Sequence, residues 1–213
     1  MSERGKSFFN DLAERWDDTR AADDQKIAGL VSLAGPQPGE TVLDIGCGTG
    51  VLLPHLLAAV GEAGRVTAID FAENMVAKAR AKIGRRDNIT YIAGDIWSFE
   101  PEALYDAAFC FNFFPHAADK PRFVARMRSL LRPGGSLIIM HDMSRAAVNA
   151  IHKSSRVVTE DRLPEGAAVA DMLIAAGYEV QGVIDDEEKY FVKGLNPVER
   201  NGGRRRRRLS IVC

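Results

Sequence analysis

The chain has only three cysteines, and they are scattered rather than grouped in a motif. Cys47 lies in a glycine-rich segment, Cys110 in an apolar run and Cys213 at the end of the chain. An odd, dispersed set predicts no disulfide framework, and with no apolar stretch behind Met1 it favours a reducing, cytoplasmic setting. The sequence also lacks an apolar run near the ~20 residues that a membrane-spanning helix needs.

The chain also lacks an excess of charge of either sign. The formal net charge is -1, and 27% of the 213 residues are charged and 46% hydrophobic, which is ordinary for a globular protein of one domain. This balance gives no reason to expect nucleic acid or a membrane surface as a partner. The exception is a run of five arginines at 204–208, which predicts a flexible basic tail over 196–213 without a catalytic role.

What the chain does contain, after residue 40, is a regular alternation of short β-branched or aromatic runs with helix-like stretches. The runs are 41–45, 65–69, 89–92, 105–111 and 136–140, and the helix-like stretches are 51–60, 72–83, 120–131 and 167–176. Such alternation predicts an α/β fold, a Rossmann-like three-layer sandwich. Two later runs, 178–184 and 189–193, are joined by a short acidic turn and predict an antiparallel hairpin. Residues 36–195 should therefore form a seven-stranded, mostly parallel sheet with one antiparallel strand, preceded by helical residues 1–35.

Three successive strand ends carry residues that suit a nucleoside. The strand at 41–45 runs into three glycines within five residues, which permits a sharp turn and exposes helix N–H groups to an anionic ligand. The Gly-x-Gly-x-Gly spacing differs from the Gly-x-Gly-x-x-Gly of dinucleotide folds. Asp70 ends the next strand, 20 residues beyond Gly50, a spacing typical of the acid that binds ribose hydroxyls. Asp95 follows the third strand, so the three ends together predict one ligand site.

These motifs, with Gly94-Asp95-Ile96, Tyr105-Asp106 and 131–135, resemble those of class I S-adenosylmethionine-dependent methyltransferases. The chain looks most like the ubiquinone and menaquinone biosynthesis group, whose N-terminal lid helix is similar to residues 8–13 with Trp16-Asp17. The resemblance implies S-adenosyl-L-methionine as cofactor and a helical lid over residues 1–35. It implies cofactor contacts from Asp44, Gly46, Cys47, Gly48, Thr49 and Gly50 (methionine), Asp70 (ribose), Phe71, Asp95 and Ile96 (adenine), to which we add Asn112 at the end of the fourth strand.

The methyl acceptor is expected beyond the fourth and fifth strands, where three of the four histidines fall. Methyl transfer from a sulfonium is an in-line displacement that gains from positioning, and a general base helps when the acceptor loses a proton. We therefore predict His141, Asp142 and His116 as catalytic, with His141 as base or substrate orienter and Asp142 fixing its tautomer. The predicted substrate-binding residues are Trp16, Phe113, Phe114, Arg145, Asn149 and His152.

Several alternatives stay open at these positions. His116 could cap a helix, His141 could be a buried and satisfied polar group, and the phenylalanines could pack in the core. A metal site at His141, Asp142 and His152 matches no metal-binding spacing, so no metal is predicted.

Other activities also stay open for the whole chain. The histidine at the end of the fifth strand departs from the quinone-methylating enzymes, where an acidic or small residue is common. The leading prediction is a methyltransferase acting on a small molecule. The alternatives are an NAD(P)-dependent oxidoreductase, a non-catalytic binding protein, and a methyl-transfer enzyme of this fold with another donor or acceptor, such as a folate.

Overall fold

The structure is a computed structural model that describes residues 3–19, 23–154 and 158–198. These residues contain a seven-stranded sheet in the order β3-β2-β1-β4-β5-β7-β6. The strands are β1 (Thr41–Ile45), β2 (Arg65–Asp70), β3 (Ile89–Ala93), β4 (Tyr105–Phe111), β5 (Leu131–His141), β6 (Glu179–Asp185) and β7 (Tyr190–Leu195). Strand β7 runs antiparallel to β5 and to β6, while β1 to β5 are mutually parallel. The predicted sheet is therefore confirmed.

Helices cover both faces of the sheet. They are α1 (Glu3–Leu12), α2 (Trp16–Thr19), α3 (Asp24–Ala34), α4 (Leu53–Val60), α5 (Glu73–Ile83), α6 (Lys120–Leu130), α7 (Arg145–Ser154) and α8 (Gly166–Ala175). Because successive strand residues point to opposite faces, Val42 packs in a core with α3 and α4, and Leu43 packs in a second core with α6 and α8. The sheet thus separates two apolar cores, which is the three-layer arrangement expected from the sequence.

Strand β5 is longer than its predicted range of 136–140. It begins at Leu131, and its register against β4 shifts between Tyr105 and Ala107. Gly134 has a φ of 87°, and a Cβ on Gly135 would lie 3.0 Å from three carbonyl oxygens. The segment 132–135 was predicted to follow the end of α6, and α6 does end just before it, at Leu130. The glycine pair itself lies inside β5, where it lets the chain enter the sheet through a bulge.

The carboxyl ends of the parallel strands meet at one edge. Strand β1 lies between β2 and β4, at the position where the strand order reverses, and ligands of open α/β sheets bind at this position. The fold therefore brings the ends of β1, β2, β4 and β5 together before any side chain is considered.

The described chain continues just past β7. Asn196, the first residue of the predicted tail, donates its N–H to Gly135 O and accepts from Gly134 N, both at 2.7 Å, so the ordered fold includes it. The arginine run at 204–208 and Cys213 lie outside the described residues. Among those residues, the helices are too short or too polar to cross a membrane.

Candidate active site

The segment between β1 and α4 is built on glycines with positive φ. Gly46, Gly48 and Gly50 have φ values of 68°, 53° and 83°, which side-chain-bearing residues rarely adopt. The N–H groups of Gly46 and Cys47 both donate to Ile69 O, at 2.9 and 3.1 Å, so the segment folds over the end of β2. A Cβ on Gly46 would lie 2.2 Å from Phe113 Cδ2. Glycine at this position allows the ends of β1, β2 and β4 to touch.

Two buried carboxyl groups, Asp44 and Asp70, face this segment. Asp70 accepts hydrogen bonds from Gly48 N and Ala72 N, both at 2.9 Å. Burial raises its pKa, while these backbone donors oppose the shift. Asp44 is 1% exposed, and its Oδ2 has no hydrogen-bond partner among the described residues. Burial, followed by the nearby charge of Asp70, raises the pKa of Asp44 to about 8. A buried oxygen without a partner is costly unless a ligand supplies a donor.

Three cavities surround the glycine segment, and Gly46 lines all of them. The first, here called the loop cavity, has a volume of about 290 Å³ and is lined by Asp44, Gly46, Cys47, Gly48, Thr49 and Asn112 among others. The second, the edge cavity, has about 190 Å³ and is lined by Asp70, Phe71, Asp95 and Ile96 among others. Gly50 lines neither of them, and it packs instead against α5, where its Cβ would lie 3.0 Å from Ala79 Cβ.

The third cavity, here called the aromatic cavity, has a volume of about 250 Å³. Its walls come from α1 and α2, from the ends of β2, β4 and β5, and from α7. They include Phe8, Phe9, Trp16, Phe71, Phe113, His116, His141 and His152. Asn112 separates this cavity from the loop cavity and lines both. Among the described non-glycine residues, it alone has a positive φ, of 54°. Its buried Oδ1 has no hydrogen-bond partner within the described part of the chain. The three predicted histidines are therefore brought together beside the glycine segment.

His116 makes a contact with an acid that the sequence did not indicate. Its Nδ1 lies 2.6 Å from Asp161 Oδ2, and its ring packs edge-on to Phe9 at 5.2 Å and tilted to His152 at 5.0 Å. His152 Nδ1 is hydrogen-bonded to the carbonyl of Asp161 at 2.8 Å. Asp161 lies in the irregular segment between α7 and α8, which has no periodicity that would mark it.

His141 and Asp142 lie at the end of β5. His141 is 1% exposed and packs edge-on to Tyr190, with the ring centres 5.8 Å apart. Asp142 accepts a hydrogen bond from Asn112 Nδ2 at 2.9 Å and lines the loop cavity. Its carboxylate thus holds the amide that separates the two cavities.

Three predicted substrate residues do not face the cavities. Phe114 is 0% exposed and packs in the core beside α6, at the start of a short 3-10 helix that follows β4. Arg145 pairs with Asp185, Nε to Oδ2 at 2.8 Å. Asn149 bonds to the backbone of Leu163, donating at 3.0 Å and accepting at 2.8 Å. Arg145 and Asn149, two polar residues of α7, therefore bind the chain's own segments. No three His, Cys, Asp or Glu side chains of the described ranges form a group that could hold a metal ion.

A row of polar contacts fixes α1 and α2 on α5. The ion pairs are Lys6–Glu73 at 2.7 Å, Glu14–Lys78 at 2.5 Å and Asp17–Lys82 at 2.5 Å, and Asp17 also accepts from Thr49 Oγ1 at 2.6 Å. The sequence did not indicate this row, since its partners are more than 60 positions apart except at Thr49. Asp17 thereby connects the N-terminal segment to the glycine segment itself.

Comparison with known proteins gives a consistent family. A family described as "Methyltransferase domain" matches residues 42–135. The nocamycin O-methyltransferase of Saccharothrix syringae is 32% identical over 214 residues, covering 86% of this chain and 70% of that protein. A ubiquinone/menaquinone biosynthesis C-methyltransferase, UbiE, of Shewanella piezotolerans is 27% identical over 176 residues, 70% of each protein. An uncharacterized 37.1 kDa protein in transposon TN4556 of Streptomyces fradiae is 30% identical over 84% of this chain, which spans about half of that relative's length, 53%.

Solved structures agree on the fold. The complex of DhpI with SAH superimposes with a TM-score of 0.70 at 22% identity, over 93% of this chain and 97% of that one. A SAM-dependent methyltransferase from Aquifex aeolicus gives a TM-score of 0.67 at 24% identity, over 90% and 98%. The glycine segment, the strand-end acids and these relatives together show that the chain belongs to the class I S-adenosylmethionine-dependent methyltransferases.

Proposed function

We propose that this protein transfers a methyl group from S-adenosyl-L-methionine to a small molecule by in-line displacement. The observation that carries the proposal is the meeting of three cavities of different character at Gly46. The loop cavity, whose lining includes Asp44 and Asn112, and the edge cavity suit the two ends of the nucleoside. The more apolar aromatic cavity suits an acceptor beside the methyl group. The bound cofactor supplies an electrophilic methyl group on a positively charged sulfur.

The residues around the glycine segment fit this cofactor chemically. Asp44 Oδ2 is a buried acceptor without a partner among the described residues, so a ligand ammonium group would satisfy it. Asp70 presents two oxygens that each have a lone pair beyond the backbone bond they accept, which suits ribose hydroxyls. Phe71, Asp95 and Ile96 line the edge cavity and would hold the adenine ring. Cys47, Gly48 and Thr49 line the loop cavity and would contact the methionine end of the cofactor.

On the acceptor side, the chain's own residues would exclude water and orient the acceptor. Trp16 and Phe113 supply apolar walls, and His116, His141 and His152 supply polar atoms in the same cavity. A site with apolar walls and few polar anchors suits a small molecule. Desolvation and alignment lower the barrier of an in-line displacement, so much of the rate enhancement would come from this wall and not from covalent chemistry.

Helices α1 and α2 are proposed to act as a lid, whereas α3, also within the predicted lid of residues 1–35, packs in the core against β1 and α4. Helix α1 and Trp16 of α2 close one side of the aromatic cavity, and the ion pairs to α5 that hold them are exposed to solvent. Exposed pairs of this kind contribute about 0–1 kcal/mol each. The lid could therefore open for ligand exchange without unfolding the sheet.

Calorimetric titration of ligand-free protein tests the proposal. We expect S-adenosylmethionine and S-adenosylhomocysteine to bind and NAD not to bind. Asp95→Ala should weaken both sulfur nucleosides several-fold. Asp87→Ala serves as a matched control, because Asp87 is exposed at the opposite end of β3. A protein that binds NAD but neither sulfur nucleoside would refute the proposed function.

A further inference from the structure

We propose that His116 and Asp161 form a general-base pair, and that the acceptor is a neutral, planar, aromatic molecule carrying a weakly acidic hydroxyl group. This inference rests on the methyl transfer proposed above. It goes further by naming the residue that removes the acceptor's proton, the acid that positions that residue, and the substrate class.

The geometry of the pair assigns its protons. Asp161 Oδ2 lies 2.6 Å from His116 Nδ1, a distance typical of a charge-assisted hydrogen bond. The carboxylate accepts the Nδ1 proton, which leaves Nε2 as the basic nitrogen of the imidazole. The His116 side chain is 10% exposed and lines the aromatic cavity. The free lone pair of Nε2 is therefore available to an acceptor in that cavity.

The backbone of the segment that carries the Asp161 carboxylate is held in place by hydrogen bonds. The Asp161 carbonyl bonds to His152 Nδ1 at 2.8 Å, and its N–H donates to Val158 O at 3.0 Å. Asn149 binds both backbone groups of Leu163, two residues further on. Helix α7 thus fixes the segment that carries the acid, and a fixed acid costs little reorganisation when charge develops on the imidazole.

The cavity walls limit what the acceptor can be. Five aromatic side chains line it: Phe8, Phe9, Trp16, Phe71 and Phe113. Among the described residues that line it there is no lysine or arginine, whereas Asp70 is present. A carboxylate or phosphate would lose its hydration there without gaining a lysine or arginine partner, and it would lie near the carboxylate of Asp70. A flat neutral ring fits these walls, and its hydroxyl group would find the acceptor nitrogen of His116.

The reaction balances with these groups alone. The hydroxyl proton moves to His116 Nε2, and the oxygen lone pair forms a bond to the methyl carbon. The carbon–sulfur bond of the donor breaks, and its electron pair stays on sulfur, so the positive sulfonium becomes a neutral thioether. The imidazolium that results is stabilised by the Asp161 carboxylate and returns its proton to solvent after product release.

His141 lines the same cavity, but the assignment favours His116. Asp161 contacts an imidazole nitrogen of His116 directly, at 2.6 Å. His141 is also almost fully buried at the end of β5. We therefore assign His141 to orienting the acceptor and His116 to proton transfer.

Two phenols of different acidity test the base. The enzyme is supplied with S-adenosylmethionine and either 2-naphthol or the more acidic 4-nitrophenol, and methylated product is quantified at pH 8. We expect His116→Gln and Asp161→Asn to lower kcat for 2-naphthol by about 10²-fold or more, while KM changes by no more than several-fold. The loss should be much smaller for 4-nitrophenol, which is largely ionised already. The matched control is Asp24→Asn, because Asp24 pairs with His55 at 3.0 Å, outside the lining of the three cavities.

An equal loss for both phenols, or an Asp161→Asn variant that behaves like Asp24→Asn, would overturn the base assignment. A merely structural role of Asp161 would lower both rates alike, so the ratio of the two losses separates the roles. Imidazole ¹⁵N resonances give a second readout without turnover. Wild-type His116 should show the Nδ1–H tautomer, and Asp161→Asn should shift it toward a tautomer mixture.

Binding tests the substrate class independently of turnover. With protein saturated by S-adenosylhomocysteine, 2-naphthol should bind at least several-fold more tightly than 2-naphthoate or 2-methoxynaphthalene. His116→Gln should remove the preference for the hydroxyl over the methyl ether. Tighter binding of the carboxylate, or no preference for the hydroxyl, would refute the acceptor class. Failure to bind S-adenosylhomocysteine would instead refute the proposed function, so the two failures are distinguishable.

Discussion

Replacing Asp44 by asparagine should stabilise the ligand-free protein while weakening the cofactor site. Asp44 is 1% exposed, and its pKa rises from an ordinary 3.8 to about 8, first because of burial and then because of Asp70. The folded protein therefore holds a proton that the unfolded chain releases. Between these two pKa values the free energy of unfolding falls as the pH rises, and above pH 8 no further loss occurs.

The magnitude follows from the shift. Each pKa unit is worth about 1.36 kcal/mol, so the full effect of Asp44 is about 6 kcal/mol, reached above about pH 8. Asparagine has nearly the same shape and cannot ionise. The difference in unfolding free energy between Asp44→Asn and wild type should grow by about 1.4 kcal/mol for each pH unit between about pH 5 and pH 7, in favour of the variant, and level off around pH 8.

Urea unfolding of both proteins across this pH range measures the difference directly. Titrating groups away from Asp44 cancel in the comparison, because both proteins carry them. A difference that does not change with pH would refute the reasoning, since a carboxyl group with an ordinary pKa is already ionised throughout the range. In the same variants, S-adenosylhomocysteine should bind at least about 10-fold more weakly to Asp44→Asn, because a buried charged contact to the ligand ammonium is lost.

Three further substitutions separate parts of the site. Gly46→Ala should lower stability and cofactor affinity together, because the new Cβ would lie 2.2 Å from Phe113. Thermal melting and ligand titration measure the two effects. Gly61→Ala controls for backbone strain, since Gly61 has the same φ of 68° and its Cβ would have nothing within 4 Å. Asp17→Asn should speed dissociation of S-adenosylhomocysteine in stopped-flow traces by a few-fold, and an unchanged rate would exclude the N-terminal contact from gating. Phe114→Ala should cost about 3–5 kcal/mol in urea unfolding; a KM change without that loss would return this residue to the substrate site.

The fold and the side of the site formed by the strand ends were predictable, because each depends on local sequence patterns. Strand and helix periodicity predicted all seven strands, and residues at strand ends need no long-range information to be placed at one edge. Asp44 and Asp70 follow this logic, since parallel strands bring their carboxyl ends together. The same logic predicted that His141 lies beside them.

The acceptor side of the site could not be predicted, because it depends on which helix face packs against which segment of the chain. Phe113 and Phe114 follow the end of β4, where strand alternation no longer applies, and one lines a cavity while the other fills the core. Arg145 and Asn149 on α7 were predicted to bind the substrate, yet their partners are other segments of the chain. Asp161 is 45 positions from His116, and nothing local relates the two residues.

The aromatic side chains of α1 and α2 connect closure of the lid to the proposed methyl transfer. Helices α1 and α2 pack on a small apolar cluster of Ala13, Ala72 and Met75, joined by Phe9, Trp16 and Phe71. The last three side chains are also among the five aromatic side chains that line the aromatic cavity. An apolar acceptor would therefore extend the same cluster and favour the closed lid by the area it buries. Closure removes water from the hydroxyl oxygen that attacks, and a desolvated oxygen next to a fixed base is the better nucleophile. Acceptor binding, lid closure and proton removal would thus depend on one set of aromatic contacts. Phe9 belongs to that set on both counts, because it packs against Trp16 at 5.8 Å and against the proposed base His116 at 5.2 Å.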